Sequence, residues 1–334
     1  LVSHKFQKLR KFLHPFSIAR RNYQVTVVGG ATDIGQTLCL LLRSEPAITK
    51  LVVHDTQGQT PGFVLDLSHV PTEAFLKGYT GDDALELALE NANVVIGVGG
   101  LIRKPGISES LWFSANTAFV KTLASKVAKL NPMPFLGIVT EPINCLIPMA
   151  AEVLINQGNY DPKKLFGITG LDTLRAQTLY ASLTNMNARN CFVPVIGGHS
   201  EKTAIPLLSQ SLPNSEFDVN ISRDFTMKFR KTDDKIIRAK GGVSPILSVA
   251  YSALIFTRSV LEALDGRPAN VNAFVENNDF GTSYFAGLVH INRMGIQEMQ
   301  RYTTLTEYEC QLLERSFDDL RKDVLKGKKV LEIA

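Results

Sequence analysis

The sequence predicts an α/β protein whose first half is a doubly wound parallel sheet. Three observations predict it. Short apolar, β-branched runs alternate with helix-like segments through residues 23–156. The first such run ends in a glycine-rich turn, and the second ends in an acid. Strand, glycine-rich turn, helix and acid-ended strand together make a βαβ nucleotide-binding unit.

Residues 23–28 form the first β-rich run, followed by Gly29-Gly30-Ala31-Thr32-Asp33-Ile34-Gly35 and a helical stretch at 36–43. Glycines at such a turn let the backbone bend sharply and approach a ligand closely. Residues 51–55 read as the next strand. Asp55 at its end lies about 20 residues past the turn, where an acid holds the ribose hydroxyls of NAD rather than NADP. The first half is therefore expected to be a Rossmann sheet with NAD as cofactor. Residues 94–100 are a buried parallel-type strand ending in glycines, and a polar Pro/Gly-punctuated loop, 101–106, follows. A helix at 111–130, a strand at 135–140 and a helix at roughly 146–156 come next. The organisation expected is a basic segment at 1–22, a nucleotide-binding domain at 23–145 and a mixed α/β domain at 146–334. That second half holds a strand at 165–167, the helix of Asp172, the strand before His199, and long helices at 243–264 and 307–325.

Within it, the run Phe192-Val193-Pro194-Val195-Ile196-Gly197-Gly198-His199-Ser200 takes an apolar segment into two glycines and stops at a histidine. A histidine at such a turn exchanges a proton near neutral pH. Upstream, Gly170-Leu171-Asp172-Thr173-Leu174-Arg175 puts a carboxylate and a guanidinium three residues apart, on one helix face. The carboxylate is suited to orient an imidazole and support its charged form. The guanidinium is suited to clamp a substrate carboxylate through two parallel bonds. Taken singly, a lone histidine is more often structural and an Asp/Arg pair is more often a helix salt bridge. The combination with a nucleotide-binding unit points to chemistry.

The whole-chain quantities set bounds. At 334 residues, 45% hydrophobic and 20% charged, the chain has room for two domains. A net charge of +4 implies no general nucleic-acid binding. The four cysteines, Cys39, Cys145, Cys191 and Cys310, are scattered without a Cys-x-x-Cys or Cys/His cluster, so no metal site is expected and a reducing compartment fits. The longest apolar stretch, 243–256, is interrupted by Ser, Pro and Tyr and is expected not to span a membrane. Residues 1–21 differ in kind: Lys5, Lys8, Arg10, Lys11, Arg20 and Arg21 precede the first acid, Asp33, and Leu9, Phe12, Leu13 and Phe16 share a helical face. Basic, acid-free and amphipathic describes a mitochondrial transit peptide. A disordered basic arm and a docked surface helix are the alternatives. A start at Leu rather than Met implies a processed or truncated sequence.

From about Gln24 onward the chain resembles the malate dehydrogenases, especially the mitochondrial and bacterial type. Its carriers are Asp66-Leu67-Ser68-His69, Arg103-Lys104-Pro105-Gly106, Leu171-Asp172 with Arg175, and Val195-Ile196-Gly197-Gly198-His199 with Lys202-Thr203. The resemblance implies an NAD-dependent hydride transfer between malate and oxaloacetate, as in the tricarboxylic acid cycle, by a homodimer in the mitochondrial matrix. It assigns proton transfer to His199 and Asp172, the remote substrate carboxylate to Arg103, and the carboxylate beside the reacting carbon to Arg175. Asn144 and Ser244 fall with the substrate-binding residues, and Gly29, Gly30, Ile34, Gly35 and Asp55 with the cofactor.

The chain departs from that pattern at three positions. Glu109 stands where the family's loop has a second, carbonyl-polarising arginine. Glu141 replaces the first Asn of Asn-Pro-x-Asn. Thr32, followed by Asp33, replaces the middle glycine of the phosphate turn. An acid in a helix's first turn stabilises it by roughly 0.3–1 kcal/mol, yet repels a pyrophosphate seeking the same helix end. Malate and oxaloacetate are dianions. A cation at ~4 Å is worth about 4 kcal/mol at an effective dielectric of ~20, and an anion costs a similar amount. Lys104 is positioned in sequence to compensate for Glu109, though a flexible ammonium is a poor substitute for arginine. Three functions fit: a working malate dehydrogenase, an impaired paralogue kept for assembly or binding, and a dehydrogenase for a less anionic substrate.

Overall fold

The computed structural model describes residues 23–331; the basic N-terminal segment lies outside them. The first half alternates β1 (Tyr23–Val28), α1 (Asp33–Arg43), β2 (Ile48–Asp55), α2 (Thr60–Ser68), β3 (Phe75–Thr80), α3 (Leu85–Leu89), β4 (Val94–Gly97), α4 (Glu109–Val127), β5 (Phe135–Ile138), α5 (Ile143–Asn156) and β6 (Leu165–Ile168). These strands lie in the order 3-2-1-4-5-6 and every pairing among them is parallel. β1, β4, β5 and β6 are buried at every residue, as parallel strands covered on both faces must be. β1 is the switch point: it pairs with β2 on one side and β4 on the other, opening a crevice at the strand ends.

The second half runs α6 (Gly170–Thr184), β7 (Val195–Gly197), β8 (Ala204–Pro206), α7 (Val219–Arg230), α8 (Thr232–Ala239), α9 (Leu247–Leu264), β9 (Ala269–Glu276), β10 (Tyr284–Asn292), β11 (Gly295–Met299) and α10 (Glu307–Lys329). β9 joins β6 antiparallel, and β10, β7 and β8 continue the same sheet antiparallel. The parallel run thus continues to β6, past the Cys145 point at which the sequence suggested a division. The β9–β11 meander and helices α7 and α8 are elements the sequence reading did not identify.

Phe166 at the sheet's centre stacks on Phe135 at 6.1 Å and meets Phe256 of α9 edge-on at 5.3 Å. Burying one such side chain is worth about 1.5–3 kcal/mol. Helix α9, which takes in most of the 243–256 stretch, is long and apolar enough to cross a membrane by length and composition alone. It packs as a core helix instead, with 56% of its residues buried.

Two close approaches shape the functional end. Gly29 adopts φ +88°, and a Cβ there would stand 2.2 Å from the Gly99 nitrogen, so the turns after β1 and β4 approach this closely because residue 29 is glycine. In α10, a Cβ on Gly327 would stand 2.0 Å from the Cys145 carbonyl oxygen. Glycine lets α10 lie against α5 and bring Asp323 and Lys326 to the cleft.

Candidate active site

Three cavities lie end to end along this crevice. The first, about 340 Å³, is bounded by Gly29, Thr32, Asp55, Gly99 and Phe119. The second, about 370 Å³, shares Gly99 and Leu101 with it and adds Ile34, Thr140 and Ser244. The third, about 320 Å³, shares Arg103, Trp112, Glu141 and Asp233 with the second and holds Asp172, Arg175 and His199.

In the first cavity the Asp55 carboxylate is fixed by backbone: Oδ2 accepts from the Ala31 N–H at 2.9 Å and Oδ1 from the Gln57 N–H at 3.1 Å. Thr32 caps α1, its hydroxyl accepting from the Gly35 N–H at 3.0 Å and donating to the Gly29 carbonyl at 2.7 Å. That cap satisfies one helix-end donor internally. Asp33 is not free to repel at full strength, because Lys104 Nζ stands 3.3 Å from its carboxylate. Lys104 is therefore spent at the helix end and does not compensate for Glu109 as the sequence suggested.

In the third cavity His199 follows β7, and its backbone N–H donates to Asn144 Oδ1 at 2.8 Å. Nδ1 of the ring and Oδ2 of Asp172 are 2.5 Å apart, and each side chain is only 8% exposed. Nε2 lies 3.5 Å from Glu141 Oε1. Burial by itself would lower the His199 pKa. The Asp172 charge and hydrogen bond, joined by those of Glu141, outweigh burial and hold it well above the ordinary histidine value. Glu141 mirrors this: desolvation pushes its carboxyl up, but the hydrogen bond and charge of His199, with help from Arg175, hold it below the usual range.

The two arginines are occupied. Arg103 donates from Nη1 and Nη2 to the two oxygens of Glu109 at 2.6 and 3.2 Å, and its guanidinium lies 4.0 Å from the Trp112 ring. Arg175 donates both Nη groups to the carboxylate of Asp233, one at 2.9 Å and one closer. Glu109 opens α4 behind the Ser108 cap, so the acid that serves the helix dipole also holds the loop arginine.

The chain matches the lactate/malate dehydrogenase NAD binding domain over residues 23–167 and the lactate/malate dehydrogenase alpha/beta C-terminal domain over residues 169–331. Malate dehydrogenase of Aliivibrio salmonicida (strain LFI1238) is 39% identical over 312 residues, 92% of this chain and 100% of that protein. Malate dehydrogenase of Vibrio campbellii (strain ATCC BAA-1116) is 40% identical over 304 residues, 90% of this chain and 97% of that one. The chain belongs to the lactate/malate dehydrogenase family. Among solved structures, Cryptosporidium parvum malate dehydrogenase aligns with a TM-score of 0.78 at 21% identity, over 92% of this chain and 100% of that one. Eimeria maxima lactate dehydrogenase with NADH and oxamate gives 0.77 at 20%, over 96% of each. At such identities the likeness speaks for the fold.

The lactate/malate dehydrogenase family's NAD-binding half suits this chain's own residues. Gly29, Gly30 and Gly35 let the turn pack tightly beside the cavity: a Cβ on Gly30 would meet Val53 at 2.4 Å, and one on Gly35 the Gly29 carbonyl at 2.2 Å. Asp55 bounds the cavity beyond, and Ile34 and Ser244 bound the next. Ser244 is also tied to the loop, donating its N–H to the Arg103 carbonyl at 3.1 Å.

One assignment needs correction. Asn144 does not present its side chain to substrate. Its Oδ1 holds the His199 N–H, and its Nδ2 donates to Thr203 Oγ1 at 3.1 Å and Asp323 Oδ2 at 3.0 Å. It is a buried brace for the histidine turn. Sequence reasoning missed Asp233, Trp112, Asp323 and Lys326. Asp233 sits in Thr232-Asp233-Asp234 at the start of α8, where acids read as dipole partners. The available signal was that an arginine assigned to a substrate carboxylate requires an account of its partner within the chain.

Proposed function

We propose that this chain is an NAD-dependent, malate dehydrogenase-like oxidoreductase, moving hydride between malate and oxaloacetate with turnover held low by Glu109, Glu141 and Asp233. The carrying observation is the 2.5 Å contact of His199 with Asp172 beside Arg175 in a cleft continuous with the Gly29–Asp55 cavity.

NAD, held by the glycine turn and Asp55, supplies the hydride acceptor or donor. The protein's share is orientation and proton transfer. Asp172 fixes the imidazole through Nδ1, leaving Nε2 to exchange the proton of the substrate oxygen. Arg175 takes the carboxylate beside the reacting carbon, and Arg103 the remote one, each after releasing its own acid. Trp112 stacks under Arg103 and limits where its fork can go.

The second reading is a paralogue with little dehydrogenase activity. It is favoured by Glu141, which stands at the nitrogen that substrate oxygen needs. NADH titration by fluorescence, followed by steady-state oxaloacetate reduction, separates the two. Tight NADH binding with reduction supports the enzyme; tight binding without it supports the paralogue.

A homodimer is the proposed assembly. Leu247, Tyr251 and Ile255 recur every four residues on α9 and are exposed, as is Leu40 on α1, which packs beside α9. Elution as a monomer across micromolar concentrations contradicts it. The mitochondrial matrix is the proposed location, supported by the basic, acid-free run of residues 1–21. Cytosolic distribution of a fluorescent fusion contradicts it.

A further inference from the structure

Arg175 is 8% exposed, bounds the 320 Å³ cavity, and gives both Nη groups to Asp233. Its Nε is buried with no hydrogen-bond partner. A ligand carboxylate that reaches this guanidinium from the cavity competes with Asp233 for its Nη groups. The rest of the cavity has the opposite character. Its walls carry six carboxylates against four guanidinium and ammonium groups, or five cations with His199 charged. Glu109, Glu141 and Asp233 are 66%, 48% and 46% exposed at the side chain, and so face the cleft while pairing with Arg103, His199 and Arg175.

The consequence for a ligand follows from counting partners. A dicarboxylate that takes Arg103 and Arg175 displaces Glu109 and Asp233 and leaves both acids unpaired in a cleft short of cations. A ligand with one carboxylate and one cation exchanges pairs instead. Its carboxylate meets Arg175, its cation meets the acids, and no charge is stranded.

We propose that this cleft selects a 2-oxo acid whose side chain carries a guanidinium or ammonium group, and that Glu109 and Asp233 are the residues that read that cation. The chemistry rests on the hydride-transfer reading above. The 2-oxo acid is reduced: C2 gains a C–H bond as the carbonyl π pair moves to oxygen. That oxygen forms an O–H bond with the proton leaving Nε2 of His199, and NADH, the two-electron reductant, becomes NAD⁺.

The test is calorimetric titration of the full chain held in NAD⁺, which lets 2-oxo acids bind without turnover. The probes are 2-oxo-5-guanidinopentanoate, 2-oxopentanoate and oxaloacetate. NADH oxidation by the same three acids is measured in parallel. The guanidino acid is expected to bind at least tenfold more tightly than either of the others. Glu109→Gln with Asp233→Asn is expected to abolish that preference while the variant still binds NADH. Oxaloacetate binding as tightly as the guanidino acid, or no selectivity among the three, overturns the proposal. Selective binding without NADH oxidation by any acid keeps the selectivity and overturns the hydride-transfer reading. Oxaloacetate as sole substrate keeps that reading and overturns this one.

Discussion

Glu141 Oε1 lies 3.5 Å from Nε2 of His199, the ring nitrogen that Asp172 leaves open. The imidazole thus bridges two carboxylates and is held charged. Its folded-state pKa is raised, so the stability this charge contributes is fully present below the unfolded histidine value of roughly 6.5. That contribution is lost as pH rises through the raised value. Oxidation of a hydroxy acid needs neutral imidazole and is expected only on the alkaline side; reduction needs imidazolium and is expected to hold through neutrality. An NMR titration of the His199 ring should show it charged at pH 7, and Glu141→Gln should move its midpoint down. A wild-type midpoint near the ordinary value contradicts this.

Asp172→Asn tests the other side of the ring. The change keeps size and polarity but removes the charge that fixes the tautomer. A drop in turnover of about 10³–10⁴ is expected, as for triads that lose this carboxylate. NADH affinity should stay the same, since Asp172 bounds only the substrate cavity among the three. Equal loss of NADH binding contradicts the assignment.

Asp55 governs cofactor choice. Its carboxylate is locked by the Ala31 and Gln57 N–H groups and repels a 2′-phosphate. Fluorescence titration should give NADH binding at least tenfold tighter than NADPH, and Asp55→Ser should narrow the gap. Thr32→Gly frees the Gly35 N–H now held by the threonine hydroxyl at 3.0 Å, and should tighten NADH binding at a cost of a few tenths of a kcal/mol in helix capping. Tighter binding of NADPH than NADH in the wild type contradicts the role of Asp55.

Asn144 makes a stability prediction. Asn144→Ala removes three side-chain hydrogen bonds at a buried site. At about 1 kcal/mol each, a loss on the order of 2–3 kcal/mol is expected by denaturant unfolding. Lys104→Ala breaks an exposed pair with Asp33 and should cost under ~1 kcal/mol. Comparable losses for the two would contradict the bracing role.

The parts that were legible are those written locally. β1, its glycine turn and Asp55 lie within one short stretch, and the His199 turn announces itself by an apolar run that ends in two glycines. Asp172 and Arg175 share one helix turn. The illegible parts depend on contacts across the fold. Asp233 reaches Arg175 over 58 residues, and Asp323 reaches Asn144 over 179. The direction in which Lys104 turns was likewise hidden, because Asp33 and Glu109 are equally plausible partners until the loop is placed. Glu109 was legible as an acid in the wrong place, but its two-bond hold on Arg103 was not.

The most direct measurement is steady-state oxaloacetate reduction by the unmodified chain and by Glu109→Arg, Glu141→Asn, Asp233→Asn combined. If these acids suppress dicarboxylate chemistry, the variant frees Arg175, clears Nε2 of His199 and adds a cation. Reduction should rise at least ~100-fold, on the order of 3 kcal/mol of transition-state stabilisation. Each single change should give less than its share, because all three face one substrate. A wild-type rate already in the ordinary range of roughly 1–10³ s⁻¹ would contradict the account; so would a variant that binds NADH and stays inert.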